Sequence, residues 1–116
     1  MSEQENILAG MLLELRRGTV VLCALSRLKS PMYGYNPVSD LTAAGIQVEA
    51  NTLYPLLRRL ESQGLLESRW ETTEAKPRKY YIITDEGQRI CAQLEQGWHQ
   101  LVANVSSILG DADHTD

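Results

Sequence analysis

Cysteine is scarce in this chain of 116 residues. Cys23 and Cys91 lie far apart and in no C-x-x-C arrangement. Each falls in a helix-like apolar pattern, where a free thiol behaves as a small hydrophobe, so two buried thiols are expected rather than a redox or metal motif. The two histidines, His99 and His114, have no cysteine or carboxylate partner at ligand spacing, so no metal and no cofactor is expected. There is no run of eighteen apolar residues, and no membrane span is expected. The N-terminus "MSEQENILAGMLLELRR" lacks the basic start and small-residue cleavage site of a secretory signal, which makes the cytoplasm the expected compartment. Internal repeats and low-complexity tracts are absent. So are a nucleophile–base pair, a phosphate-cradling glycine loop and a carboxylate dyad, and an enzyme is not expected.

An overall positive charge is also missing. The net value is -4, which argues against a uniformly basic nucleic-acid binder. The distribution is different. From Arg16 to Tyr81, ten basic side chains face six acidic ones, whereas both ends are acidic. A basic middle between acidic ends is the asymmetry of a localised polyanion-binding surface.

What is present is one domain's worth of material, 43% hydrophobic and 22% charged. Ile7, Leu8, Met11, Leu12 and Leu15 follow helical spacing, and "TVVLCALSRLKS" continues the apolar pattern after Gly18 and Thr19, which either interrupt the helix or bend it. Ser30-Pro31 stops it, and "MYGY" reads as a turn. Asn36-Pro37 starts a short helix that ends at Gly45. Glu49 or Asn51 opens the next helix, with Pro55 favouring Asn51 as the cap. Leu53, Leu56, Leu57 and Leu60 form its buried stripe, and Gly64 ends it. "LLESRWE" and "RKYYIIT" read as two strands joined by "TTEAKP". Thr84 caps a last helix reaching about Leu109, followed by "GDADHTD".

Helix, helix, helix, strand, strand, helix is the order of an α+β, mainly α, winged helix-turn-helix. Residues 1–83 are expected to hold the N-terminal helix and the winged unit, 84–109 a C-terminal dimerisation helix, and 110–116 a disordered acidic tail.

The segments "MYGYNPVSDL", "TLYPLLRRLESQGLLES" and "PRKYYIITDEG" resemble the PadR family of bacterial transcription regulators, over roughly Leu15 to Leu101. The resemblance implies a dimeric winged-helix repressor that binds a pseudo-palindromic operator and is often released by a small aromatic compound. The single helix after the wing looks like the short subfamily. Asn36-Pro37 and Glu49 depart from the family's usual residues at two helix starts.

With the leucine stripe buried, the opposite face of the third helix carries Asn51, Pro55, Arg58 and Ser62, flanked by Tyr54 and Arg59, with Thr52 near the start. Arginine offers bidentate donors to guanine or phosphate, asparagine can read adenine, and the hydroxyls suit phosphate oxygens. Such a helix fits the major groove of double-stranded DNA. The bland alternative is a solvated face with Arg58 or Arg59 paired to a nearby glutamate. On the hairpin, Lys76, Arg78 and Lys79 repel one another unless a polyanion neutralises them; the bland alternative is an edge strand protected by lysines. One of Tyr80 and Tyr81 packs under the wing while the other faces solvent or phosphate, and Trp70 is expected in core or dimer packing.

Ile90, Leu94, Trp98, Leu101, Val105 and Ile108 form a near-heptad seam on the last helix. Together with Leu8 and Met11 on the first, this seam is expected to be covered by a second copy of the chain, which places two reading helices about 34 Å apart. Trp98, fourteen residues after Thr84, matches by resemblance a tryptophan that pairs with its dimer mate to sandwich flat aromatic molecules. Leu12, Leu15 and Thr19 line the same space by resemblance. Gly97 beside it permits close helix approach or leaves room for a guest. A winged helix used as an interaction module without an operator is the alternative, and the cationic wing argues against it.

Overall fold

Local chemistry sets the helix starts. The computed structural model describes residues 2–30, 36–73 and 75–110. The expected "MYGY" turn, Glu74 and the tail beyond Gly110 lie outside the described residues. Helix α1 (Glu3–Arg16) opens with a capping box: the Glu5 amide donates to Ser2 Oγ at 3.1 Å, and the Ser2 amide donates to the Glu5 carboxylate at 3.4 Å. Arg17 and Gly18 separate α1 from α2 (Thr19–Arg27), yet both keep right-handed helical dihedrals. The junction is therefore a bend, and Thr19 Oγ1 closes it by donating to the Arg16 carbonyl at 2.7 Å.

Helix α3 (Pro37–Ala43) starts at Asn36, whose Oδ1 accepts from the Ser39 amide at 3.1 Å. It ends in a Schellman arrangement: Gly45 takes φ +95°, its amide donates to Thr42, and the Ile46 amide donates to Leu41. Helix α4 (Ala50–Ser62) ends the same way at Gly64, with Leu65 donating back to Leu60. Its start differs from the favoured reading. Glu49 is the cap and makes no side-chain capping bond, while Asn51 is already inside the helix. Pro55 is therefore interior, and the Asn51 carbonyl loses the amide that residue 55 would bring.

Strands β1 (Leu66–Glu71) and β2 (Arg78–Ile83) pair antiparallel, from Leu66 opposite Ile83 to Glu71 opposite Arg78. Helix α5 (Asp85–Leu109) begins at Thr84, whose Oγ1 accepts from the Gly87 amide at 3.0 Å. The same hydroxyl donates to the Gly64 carbonyl at 2.6 Å, and the Thr84 amide donates to Leu65 at 3.1 Å. One residue thus joins the end of α4, the base of the hairpin and the start of α5.

The core lies between α2, α3, α4, the first turns of α5 and the base of the hairpin. Leu25, Leu41, Leu53, Leu57, Leu60, Leu66 and Cys91 are its most buried members. Leu56, expected in the stripe, is only half-buried because the fully buried row runs Leu53, Leu57, Leu60. Cys91 is buried as expected, while Cys23 is only partly covered. The arrangement is a winged helix-turn-helix, with α3 and α4 as its helix pair and the β1–β2 hairpin as the wing.

The terminal helices behave differently. Helix α1 buries none of its residues. On α5, every residue from Ala92 to Val105 is exposed. Among the described residues no helix is long and apolar enough to cross a membrane.

Candidate nucleic-acid interface

Burying the leucine row of α4 turns its other side outward. Asn51, Thr52, Pro55, Arg58, Arg59 and Ser62 are all exposed, and Tyr54 is half-buried at the edge of the core. Among the described residues, no acidic group lies within ion-pair distance of Arg58 or Arg59; the salt bridges join Arg27 to Asp40, Arg69 to Glu67, Arg89 to Glu86 and His99 to Glu95. The alternative of an arginine face neutralised by its own glutamates is thereby removed. Glu61, the acid beside this face, instead accepts from Ser68 Oγ on β1 at 2.5 Å, which ties α4 to the wing. The Arg27–Asp40 bridge, at 3.0 Å, ties α2 to α3. Its partly exposed partners make it a modest contribution, about 0–1 kcal/mol.

The wing brings its cations close to this helix on one side. Lys79 and Tyr81 share a small cleft with Tyr54 of α4 and Pro37 of α3. Lys79 Nζ sits 5.2 Å from the centre of the Tyr81 ring, a cation–π contact that holds the ammonium over the cleft. Tyr81 packs on the core. Tyr80, on the opposite face, is half-buried across from Arg69, so neither tyrosine is fully solvated. Lys76 and Arg78 are exposed at the far end of the hairpin. The turn leading toward them is held by Glu71, whose carboxylate accepts from the Thr73 hydroxyl at 2.5 Å and amide at 2.7 Å. Those bonds hold its carboxyl below the usual carboxylate range.

Trp70 corrects an expectation. It is not in the core: 63% of its surface is exposed, because the hairpin has already run past the last buried rung where it stands. His99 corrects another, since the Glu95 carboxylate lies 3.8 Å from its Nε2. A one-turn spacing on a helix makes that pair, and among the described residues no group of three such side chains could hold a metal ion.

Trp98, 40% exposed, borders an open groove of about 540 Å³ between α2, α3 and α5. Its walls include Leu22, Cys23, Arg27, Leu41, Ile46 and Cys91. Burial pushes the Cys23 thiol upward, with Arg27 opposing. Leu12, Leu15 and Thr19 are not among these walls, and one chain alone does not gather them with Trp98. The residues expected at a dimer seam are uncovered on α1 (Leu8, Met11) and along α5 (Leu94, Leu101, Val105, Ile108), while Ile90 is half-buried.

The comparison with known proteins bears on this geometry. Residues 21–93 match the family described as transcriptional regulator PadR-like. Over 76 residues the chain is 33% identical to a transcriptional regulator of Mycobacterium tuberculosis, covering 66% of this chain and 68% of that one. Its fold is similar to the crystal structure of a PadR family transcriptional regulator from Eggerthella lenta, with a TM-score of 0.83 and 54% identity over 91% of this chain and 95% of that one. A PadR-like transcriptional regulator from Bacillus cereus is similar with a TM-score of 0.74 and 28% identity, over 83% and 96% of the two chains.

Proposed function

The chain belongs to the PadR-like family of transcriptional regulators, and on that footing we propose that it is a homodimeric repressor gripping a pseudo-palindromic operator and responding to a small aromatic ligand. The observation that carries the DNA reading is the pair Arg58 and Arg59, exposed and without an acidic partner among the described residues, on the helix that shares a cleft with the wing. Asn51, Thr52, Tyr54, Pro55, Arg58 and Arg59 enter the major groove on this reading. Lys76, Arg78 and Lys79 meet the backbone.

The dimer is supported by the apolar surface that one chain leaves open. Ile7, Leu8, Met11, Leu12 and Leu15 on α1, and Leu94, Trp98, Leu101, Val105 and Ile108 on α5, are all exposed. Full burial of one such side chain contributes about 1.5–3 kcal/mol. The total is of the size that association requires, since lost freedom alone opposes it by roughly 4–15 kcal/mol. On this division, residues 1–83 carry the reading unit and 84–109 the dimerisation helix. The ligand would lie between Trp98 and its mate at the dimer seam, with Leu12, Leu15 and Thr19 lining the same space, and its binding would shift the spacing of the two reading helices.

Selection of bound duplexes from a random pool, repeated with flat aromatic compounds present, tests the whole reading. Enrichment of an inverted repeat with half-sites about one turn apart, and its loss on adding a compound, is the expected result. A pool that yields no preferred duplex counts against the operator, and enrichment untouched by every compound counts against the ligand.

A further inference from the structure

Resting on that grip, we propose that Trp70 is a further DNA-reading residue: its indole lies in the minor groove beside the half-site and selects A·T base pairs there. The register fixes which way it faces. Leu66, Ser68 and Trp70 alternate onto one face of the hairpin and stand opposite Ile83, Tyr81 and Lys79. Along that face the first rung, Leu66 with Ile83, is buried. In the second, Ser68 and Tyr81 are both half-buried. Trp70, opposite Lys79, is the third, about 13 Å beyond Leu66 at strand rise. Ser68, between Leu66 and Trp70 on this face, donates its hydroxyl to Glu61 of α4, so this is the face turned toward α4. Trp70 therefore overhangs the space where a duplex held by α4 would pass.

The surroundings decide what covers the indole. Lys79 stands across from it, and Lys76 and Arg78 follow at the exposed end of the hairpin. Arg69, its chain neighbour, is bonded to Glu67 on the opposite face. An apolar ring among cations fits a polyanion whose interior is apolar, which is a description of a nucleic-acid groove. The exposed residues of α1 and α5 form apolar helical stripes instead. The indole brings a second property, an N–H that only donates. In the minor groove, A·T pairs present acceptors alone, while G·C pairs add a donor that would oppose the indole N–H. An indole there is thus both a wedge and a reader.

The test uses the full-length protein with duplexes from the random-pool selection, and heparin as a polyanion without grooves. Trp70→Ala is expected to weaken duplex binding about tenfold with an unchanged dependence on salt, because no ion pair is lost. Trp70→Phe keeps a ring and loses the N–H; it is expected to retain most affinity while losing the A·T preference flanking the half-sites. Tryptophan emission of the wild type shifts to the blue on adding duplex but not heparin, and the shift disappears in Trp70→Phe. Wild-type affinity in Trp70→Ala, or unchanged flank preference and emission shift in Trp70→Phe, overturns the proposal. The phenylalanine variant decides alone if the alanine variant does not fold. Failure of the wild type to bind any duplex overturns the proposal together with the function it rests on, whereas the first two outcomes overturn the proposal only.

Discussion

Gly87 on α5 lies directly against the main chain of Leu65, where the wing begins. A methyl group at Gly87 would overlap the Leu65 carbonyl oxygen and stand 2.7 Å from Ile83 Cγ1. The contact exists because Thr84 donates to that same carbonyl and draws the first turn of α5 onto the hairpin. Gly87→Ala is expected to destabilise the fold by about 1–3 kcal/mol or more, since backbone must move to admit the methyl. Thermal unfolding followed by circular dichroism measures it; an unchanged melting temperature would contradict the contact.

Arg58 and Lys79 should separate two kinds of DNA contact. If Arg58 reads a base, Arg58→Ala weakens specific binding by about 1–3 kcal/mol and relaxes preference at one position. If Lys79 meets phosphate, Lys79→Ala weakens all sequences alike and reduces the salt slope by about one. Titrations at several salt concentrations, on operator and scrambled duplexes, read both. Equal effects of the two variants on both duplexes would remove the distinction.

Gly97 tests the dimer from inside α5. Beyond the backbone of its own helix, nothing among the described residues lies within 4 Å of a methyl placed there. In a lone subunit Gly97→Ala should therefore stabilise α5, by up to about 1 kcal/mol of helix propensity. If two helices approach closely at this point, the same change weakens self-association instead. Sedimentation and melting of one variant distinguish the outcomes, and a gain in stability without loss of dimer rules out the close approach.

Val105→Asp places a charge in the middle of the α5 stripe, on an exposed residue far from the packed start of that helix. Chain folding should persist while the dimer is lost, and operator affinity should fall with it. A variant that still sediments as a dimer would locate the seam elsewhere.

Cys23 should be a sluggish thiol. Burial pushes its titration upward, so at neutral pH less of it is thiolate than in an exposed cysteine, and alkylation is slower. The rate should climb as pH rises toward the elevated value. Mass spectrometry of iodoacetamide-treated protein checks this; labelling at the speed of a free cysteine peptide would contradict the upward shift.

Where structure depends on a few neighbouring residues, the sequence was readable. The stops at Gly45 and Gly64, the caps at Asn36 and Thr84, and both strands to within a residue each follow from local chemistry. The start of α4 was not, because Glu49 makes no capping bond and leaves no signature to compete with Asn51. The place of Trp70 outside the core was missed for a different reason. Alternation gives the side of a strand that a residue occupies, but not how far a hairpin runs beyond its core. Counting rungs outward from Leu66 and Ile83 would have placed Trp70 opposite Lys79. That this face of α4 is exposed was legible because three leucines fix its reverse. The walls around Trp98 were not, since Leu22, Arg27 and Leu41 reach it from two other helices.

The bend at Gly18 leaves α1 as an arm of fourteen residues, none of them buried in its own subunit. Helices of that length are marginal in water by themselves. An orphan copy would therefore carry a fraying N-terminal thread, a ready substrate for proteases, and a paired copy would shield it. If the chain pairs as proposed, turnover in the cell would fall hardest on unpaired subunits, and pairing would set the protein's lifetime.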